Sequence, residues 1–323
     1  MPRRSSYRTC QIAALTLVTL AAACRDTSPP TAAGALRPLP RPIPSTAARV
    51  KDSVVPDGTG VGTVASAGAL QRTRYRIEYH NGPVKTGTPN VYFIWYGAWG
   101  TPGESPADRV ISELVASLGG SSYWRTATLY PEGSGGRPSG GLVYSGASYD
   151  PFYSHGVLLA PKDVEDLIAQ KIFASELPLD ANGVYLVLAA ANVSSPGYAT
   201  DFCAFHGQVD VVGSRLPYAF VIDPARAPTA CATQLVGPNG TPGVDAMASL
   251  VAAELFDSVT DGYFAAYYDR LGLEPASKCA WTYGTTHTAP NGAAANVSLG
   301  GRDYLLQQLW VPSKNGGACA MHP

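Results

Sequence analysis

Three long, nearly uncharged runs constrain this chain more than any other feature: NVYFIWYG (90–97), GVYLVLAA (183–190) and YAFVID (218–223). They do not alternate between apolar and polar residues. A strand of this kind is buried on both faces, as in the middle of a sheet covered by helices. The segments between them carry the helical period. PADRVISELVASL (106–118) opens on Pro106, sets Val110, Ile111, Leu114, Val115 and Leu118 on one stripe, and is stopped by Gly119-Gly120. A second helix is predicted over 161–175, with Val164, Leu167, Ile168 and Ile172 inward, and a third over roughly 244–259. RYRIEYH (74–80) alternates and reads as a strand, GLVYSG (141–146) as a short one, and DYLLQQLW (303–310) as the last. Strands separated by helices of this length imply crossover connections. The predicted class is α/β: a single domain with a mixed sheet flanked by helices and a loop-rich C-terminal part. No internal repeat is present.

The N-terminus reads as a targeting segment. Arg3, Arg4 and Arg8 precede QIAALTLVTLAAA (11–23), an apolar stretch too short to span a bilayer comfortably. It runs into Cys24 through Ala21, Ala22 and Ala23, which resembles a bacterial lipobox. Cys24 is therefore the expected lipidation site, and the membrane the expected partner through it; plain secretion is the alternative. Pro29, Pro30, Pro38, Pro40, Pro42 and Pro44 follow, and such density favours a semi-extended tether over helix or sheet. The predicted organisation is signal peptide 1–23, tether 24–70 and folded domain 71–323. The expected location is extracytoplasmic.

Cysteine use agrees with export. Beyond Cys10 and Cys24, the chain has Cys203, Cys231, Cys279 and Cys319, an even number that suits an oxidising compartment. Four cysteines allow three pairings, and proximity in sequence favours Cys203–Cys231 and Cys279–Cys319. None has Cys-x-x-Cys spacing, which argues against structural zinc. A net charge of −1 gives no electrostatic basis for binding nucleic acid.

Several ordered motifs resemble one family. YHNGPVKTGTPNVYFIWYGAW (79–99), VYLVLAAANVSSPGYATDFCAFHG (184–207), YAFVID with Cys231, LVGPNGTPGVDAMASLVAAELFDSVTDGY (235–263), KCAWTYG (278–284) and GRDYLLQQLW through Cys319 are similar to the EXORDIUM or phosphate-induced proteins of plant cell walls. The likeness covers about 75–320. It implies an extracytoplasmic protein tied to growth and the cell envelope, with cell-wall polysaccharide or an envelope protein as partner and no assigned reaction. Members usually carry a further cysteine near Cys203 and another near Cys231. Their absence here favours the Cys203–Cys231 bridge.

A second resemblance links 254–279 to secreted zincin-like proteins that carry His-Glu-x-x-Glu, then Val-Thr-Asp-Pro, then Trp-Tyr-Asp and a later Lys-Cys-Ala-Trp. This chain has Val259-Thr260-Asp261, Tyr267-Tyr268-Asp269 and Lys278-Cys279-Ala280-Trp281. The resemblance implies a zincin-like scaffold. Its first metal ligand would stand at position 253, which is Ala253. Catalytic zinc needs three protein ligands and an open position, so no metal and no cofactor are expected. Glu254, Asp257 and Asp261 are the candidate catalytic residues. As a carboxylate pair, Glu254 and Asp257 could serve hydrolysis of a polysaccharide or peptide; the alternative is a structural helix surface. His206 is expected to be structural and Asp245 to stabilise its helix N-terminus. Trp95, Tyr96, Trp99, Tyr263, Tyr267 and Tyr268 form either a sugar-stacking surface or core, with Trp95 read as core. The expected function is binding or signalling on a degenerate zincin-type site, with hydrolysis as the rival.

Overall fold

The structure is a computed structural model that describes residues 75–323; the signal segment, Cys24 and the tether lie outside the described residues. The three apolar runs form the middle of a five-stranded sheet. Its strands are β1 (Asn90–Tyr96), β2 (Val143–Asp150), β3 (Gly183–Ala189), β4 (Ala204–Val211) and β5 (Ser214–Ile222). Their order is β2-β1-β3-β5-β4, with β4 antiparallel at one edge and every other pairing parallel. Val91, Phe93, Ile94, Val184, Leu186, Val187, Phe220 and Val221 are fully buried, as uncharged runs in a covered sheet should be. The mixed α/β class is as read from the sequence.

The helices are α1 (Pro106–Leu118), α2 (Pro161–Phe173) and α3 (Pro242–Thr260). Ser105 caps α1 by accepting from the Asp108 backbone N–H, and proline stands at the start of each helix, where its missing N–H costs nothing. α3 packs on β4 and β5 and against α1, while α2 packs on β3 and β4. α3 is buried almost throughout, from Val244 to Thr260, so both faces read from the sequence are interior: Met247, Val251, Leu255 and Val259 on one, Leu250, Ala253, Glu254 and Asp257 on the other. Among the described residues no helix is long and apolar enough to cross a membrane.

Several elements differ from the sequence reading. Of the described part of the 74–80 run, 75–80, only Glu78–Tyr79 is strand, paired with Tyr267–Tyr268. β2 begins and ends later than 141–146, and α2 stops at Phe173. β4 was not among the strands read from the sequence, where His206 was expected only to be structural. The 303–310 run is broken: Arg302–Tyr304 pairs with Val297–Leu299, and Leu309–Ser313 pairs with Gly316–Ala320. Between them side chains replace the ladder. Leu306 N–H donates to Asn296 Oδ1 at 2.9 Å, and Gln307 N–H to Ser249 Oγ at 2.9 Å. Backbone groups must be satisfied, but not by a strand. The C-terminal part is stapled by Cys279–Cys319, and Cys203–Cys231 ties the entry of β4 to the short helix before α3. Both pairings are those favoured by sequence proximity.

Candidate functional site

Alternation along β4 sets His206, Gln208 and Asp210 on one face of the strand and Phe205, Gly207, Val209 and Val211 on the other. Glycine is required at 207, because a Cβ there would stand 2.6 Å from the Tyr218 ring of the neighbouring strand. His206 faces α3. Its Nδ1 lies 3.2 Å from Glu254 Oε2, and its Nε2 lies 3.3 Å from Glu274 Oε1. The imidazole is thus sandwiched between two carboxylates and roofed by Phe264, whose ring stacks on it at a centroid distance of 4.8 Å.

Glu274 is brought to the site by a strongly held segment. The buried Lys278 ammonium donates to Asp269 Oδ2 at 2.6 Å, and Asp269 Oδ1 also accepts from the Leu271 and Leu273 N–H groups. Asp257, one turn along α3 from Glu254, holds the same segment. Its oxygens accept from Ala276 N–H at 2.7 Å, Ser277 N–H at 3.0 Å and Ser277 Oγ at 2.9 Å. Asp261 ends α3 and ties the next turn: Oδ1 accepts from Ala265 N–H at 2.8 Å and Ala266 N–H at 2.6 Å. The carboxyl groups of Asp261 and Glu274 are near enough to act on each other electrostatically.

The electrostatics follow from burial. Desolvation pushes Asp257 up to about 7 against the lowering pull of His206 and its own hydrogen bonds. Desolvation, then the Glu274 charge, push Asp261 up to about 8. Burial likewise raises Glu274. For His206, burial alone would lower the value, but the charges of Glu274 and Glu254 and the hydrogen bond to Glu254 outweigh it and hold the imidazole well above its ordinary range.

The predicted site residues Glu254, Asp257 and Asp261 therefore lie in one cluster, together with His206, which was expected to be merely structural. Sequence reasoning missed Glu274. Its only signal was an isolated carboxylate between Leu273 and Pro275, inside the stretch that resembles zincin-like proteins. The donor set does not suit a catalytic zinc centre. Ala253 offers no ligand, both Asp257 oxygens are committed to the 276–277 backbone and the Ser277 hydroxyl, and among the described residues no group of three or more His, Cys, Asp and Glu is arranged to hold a metal ion. Nor do these three groups line an open cleft: Glu254 is 9% exposed, Asp257 1% and Asp261 0%.

The other candidates are placed as follows. Asp245 accepts from the Asn239 and Thr241 backbone N–H groups, fixing the turn that leads into α3. Trp95, Tyr96 and Tyr267 are buried. Trp99 is half-buried and donates its indole N–H to the Tyr96 and Leu188 carbonyls, Tyr263 is half-buried, and half-buried Tyr268 stacks on His80. These aromatics do not make a common exposed platform.

A sequence profile described as "Phosphate-induced protein 1 conserved region" matches residues 77–321. Protein EXORDIUM-like 3 of Arabidopsis thaliana is 31% identical over 274 residues, covering 73% of this chain and 80% of the relative. Protein EXORDIUM-like 5 of the same plant is 30% identical over 276 residues, covering 73% and 76%. Protein PHOSPHATE-INDUCED 1 of Nicotiana tabacum is 25% identical over 286 residues, covering 73% and 86%. No solved structure matches the chain.

Proposed function

The chain belongs to the phosphate-induced protein 1, or EXORDIUM, family, and we propose that it works at the cell envelope as a non-catalytic binding or signalling protein, anchored by lipid on Cys24. One observation carries this reading. The carboxylates that a hydrolase would use are closed into the core and spent on internal partners. A general acid or base must reach its substrate proton, and neither Asp257 nor Asp261 has a free path to one. The scaffold itself is read as a degenerate zincin. A mixed sheet, crossover helices and a late buried helix beside the antiparallel edge strand are compatible with that reading, and position 253 has lost its ligand.

Ligand contact on this reading belongs at the carboxyl ends of the parallel strands. The chain leaves β1 toward β2 on one side and returns to β3 on the other, and open α/β sheets bind ligands outside such a switch point. Exposed Phe152 and half-buried Trp99 and Tyr153 line the loops there, with Asn192. The ligand class is a cell-wall polysaccharide.

The test is paired. Purified protein should be retained by insoluble wall polysaccharide, and Phe152→Ala should weaken retention. Wild-type and Glu254→Gln protein should be equally inactive on polysaccharide and peptide substrates. A measured turnover that Glu254→Gln abolishes would restore the hydrolase. Cys24→Ser should leave the membrane fraction; a variant that still sediments with membranes would refute the anchor.

A further inference from the structure

The cluster around His206 poses a charge problem that is independent of the binding reading. From β4 comes His206; from α3 and its end come Glu254, Asp257 and Asp261; from the segment after them comes Glu274. The Asp257 charge also acts on buried Tyr123 and Tyr130, whose hydroxyls donate to the Gln307 and Trp310 carbonyls. The other nearby charges on the Glu274 segment, Asp269 and Lys278, are closed on each other. One imidazolium therefore faces four buried carboxyl groups. Uncompensated charge of this size is not sustained in a core. Either protons or a cation must neutralise it, and the side chains are not arranged as a cation cage.

Protons also account for the hydrogen bonding. Asp261 Oδ2 and Glu274 Oε1 are buried and have no ordinary N–H or O–H donor. His206 Nε2 is near Glu274 at 3.3 Å but is not aligned to donate to it. Two facing carboxyl groups in this state are joined when one keeps its proton.

The same groups hold a short segment shut. Asp261 binds the Ala265 and Ala266 N–H groups, and the Phe264 N–H donates back to the Asp261 carbonyl at 2.7 Å. Phe264 lies at φ 55°, a left-handed conformation that an aromatic residue adopts only when its surroundings impose it. Here the imposing contact is its stack on His206. The segment continues into Tyr267–Tyr268, which pairs with Glu78–Tyr79.

We propose that this cluster is an acid latch: a proton shared by Asp261 and Glu274, with His206 held as imidazolium, keeps the Asp261–Ala266 segment closed, and loss of these protons in alkali releases it. The sign follows from linkage. Unfolded carboxyls titrate near 4, roughly. In the fold, Asp257 titrates at about 7 and Asp261 at about 8, with Glu274 raised as well. The folded chain binds more protons across that window, so the contribution is full below about 4 and is lost as pH rises through 7 to 8. His206, raised too, acts in the same direction.

Amide hydrogen exchange of the full chain at pH 5 and pH 9, corrected for intrinsic rates, tests this. The Ala265 and Ala266 amides should lose protection by at least about tenfold at pH 9, one proton being worth about tenfold per pH unit. The Phe93 and Val187 amides in the sheet should not change. Glu274→Gln and Asp261→Asn, which mimic the protonated groups, should each cut the change to below about threefold; if one fails to fold, the other decides. Equal protection of 265–266 at both pH values would overturn the latch. So would a pH effect that survives in the folded amide variants, or one divalent ion per chain whose chelation removes the effect.

Discussion

The sheet centre and the segment after α3 are held by different physics. β1, β3 and β5 are secured by area: Phe93, Val187 and Phe220 are fully buried and need no particular partner. Residues 257–279 are secured by addressed links: an ion pair between Lys278 and Asp269, three hydrogen bonds to Asp257, the shared proton of Asp261 and Glu274, and the Cys279–Cys319 bridge. Apolar burial is indifferent to pH and redox state. Addressed links are not. The sheet can therefore serve as a constant frame while the segment beside it responds to conditions.

The comparison breaks most visibly at Lys278. Removing one partner of a fully buried ion pair strands the other, so Lys278→Ala should cost about 3–5 kcal/mol in denaturant unfolding. A cost below about 1 kcal/mol would mean that water reaches Asp269 in the fold. The disulfides come next. Closing the 28-residue interval of Cys203–Cys231 is worth about 3–4 kcal/mol in the chain-entropy treatment. Cys203→Ser with Cys231→Ser should lower stability by that amount, and peptide mapping without reductant should find both bridges and no free thiol at these positions.

Asp257→Ala should cost less, about 1–3 kcal/mol, by leaving the Ala276 and Ser277 N–H groups unpaired in the interior. Asp257→Asn should recover most of it at neutral pH. An equal loss in both would show that the negative charge matters beyond the hydrogen bonds. The smallest effect belongs to the surface. Arg302 pairs with Glu113 across to α1, but both side chains are solvated, and Arg302→Ala should cost no more than about 1 kcal/mol, less in high salt.

Legibility in the sequence followed the same division. The sheet centre was readable because each strand reports its own burial: NVYFIWY, GVYLVLA and YAFVI need no knowledge of their neighbours. β4 was missed because AFHGQVDV alternates only once glycine at 207 is seen as a close approach to Tyr218, a cross-strand fact. In the site, Glu254, Asp257 and Asp261 were readable from helical spacing. Glu274 was not, because nothing local distinguishes it from a solvated glutamate. Nor could spacing show that α3 is buried on all sides, which is what turns a plausible acid pair into an internal strut.

By itself, the sequence determined the α/β class, the three helices, the family likeness and the four cysteines of two bridges, because periodicity, turn residues and proximity are local properties of the chain. Only the tertiary structure decided that His206 stands between Glu254 and Glu274. That meeting joins β4, α3 and the segment after it across separations of 48 and 68 residues, 254 − 206 and 274 − 206. It arises from packing, and the charges it gathers acquire their shifted protonation only when water is excluded from all of them at once.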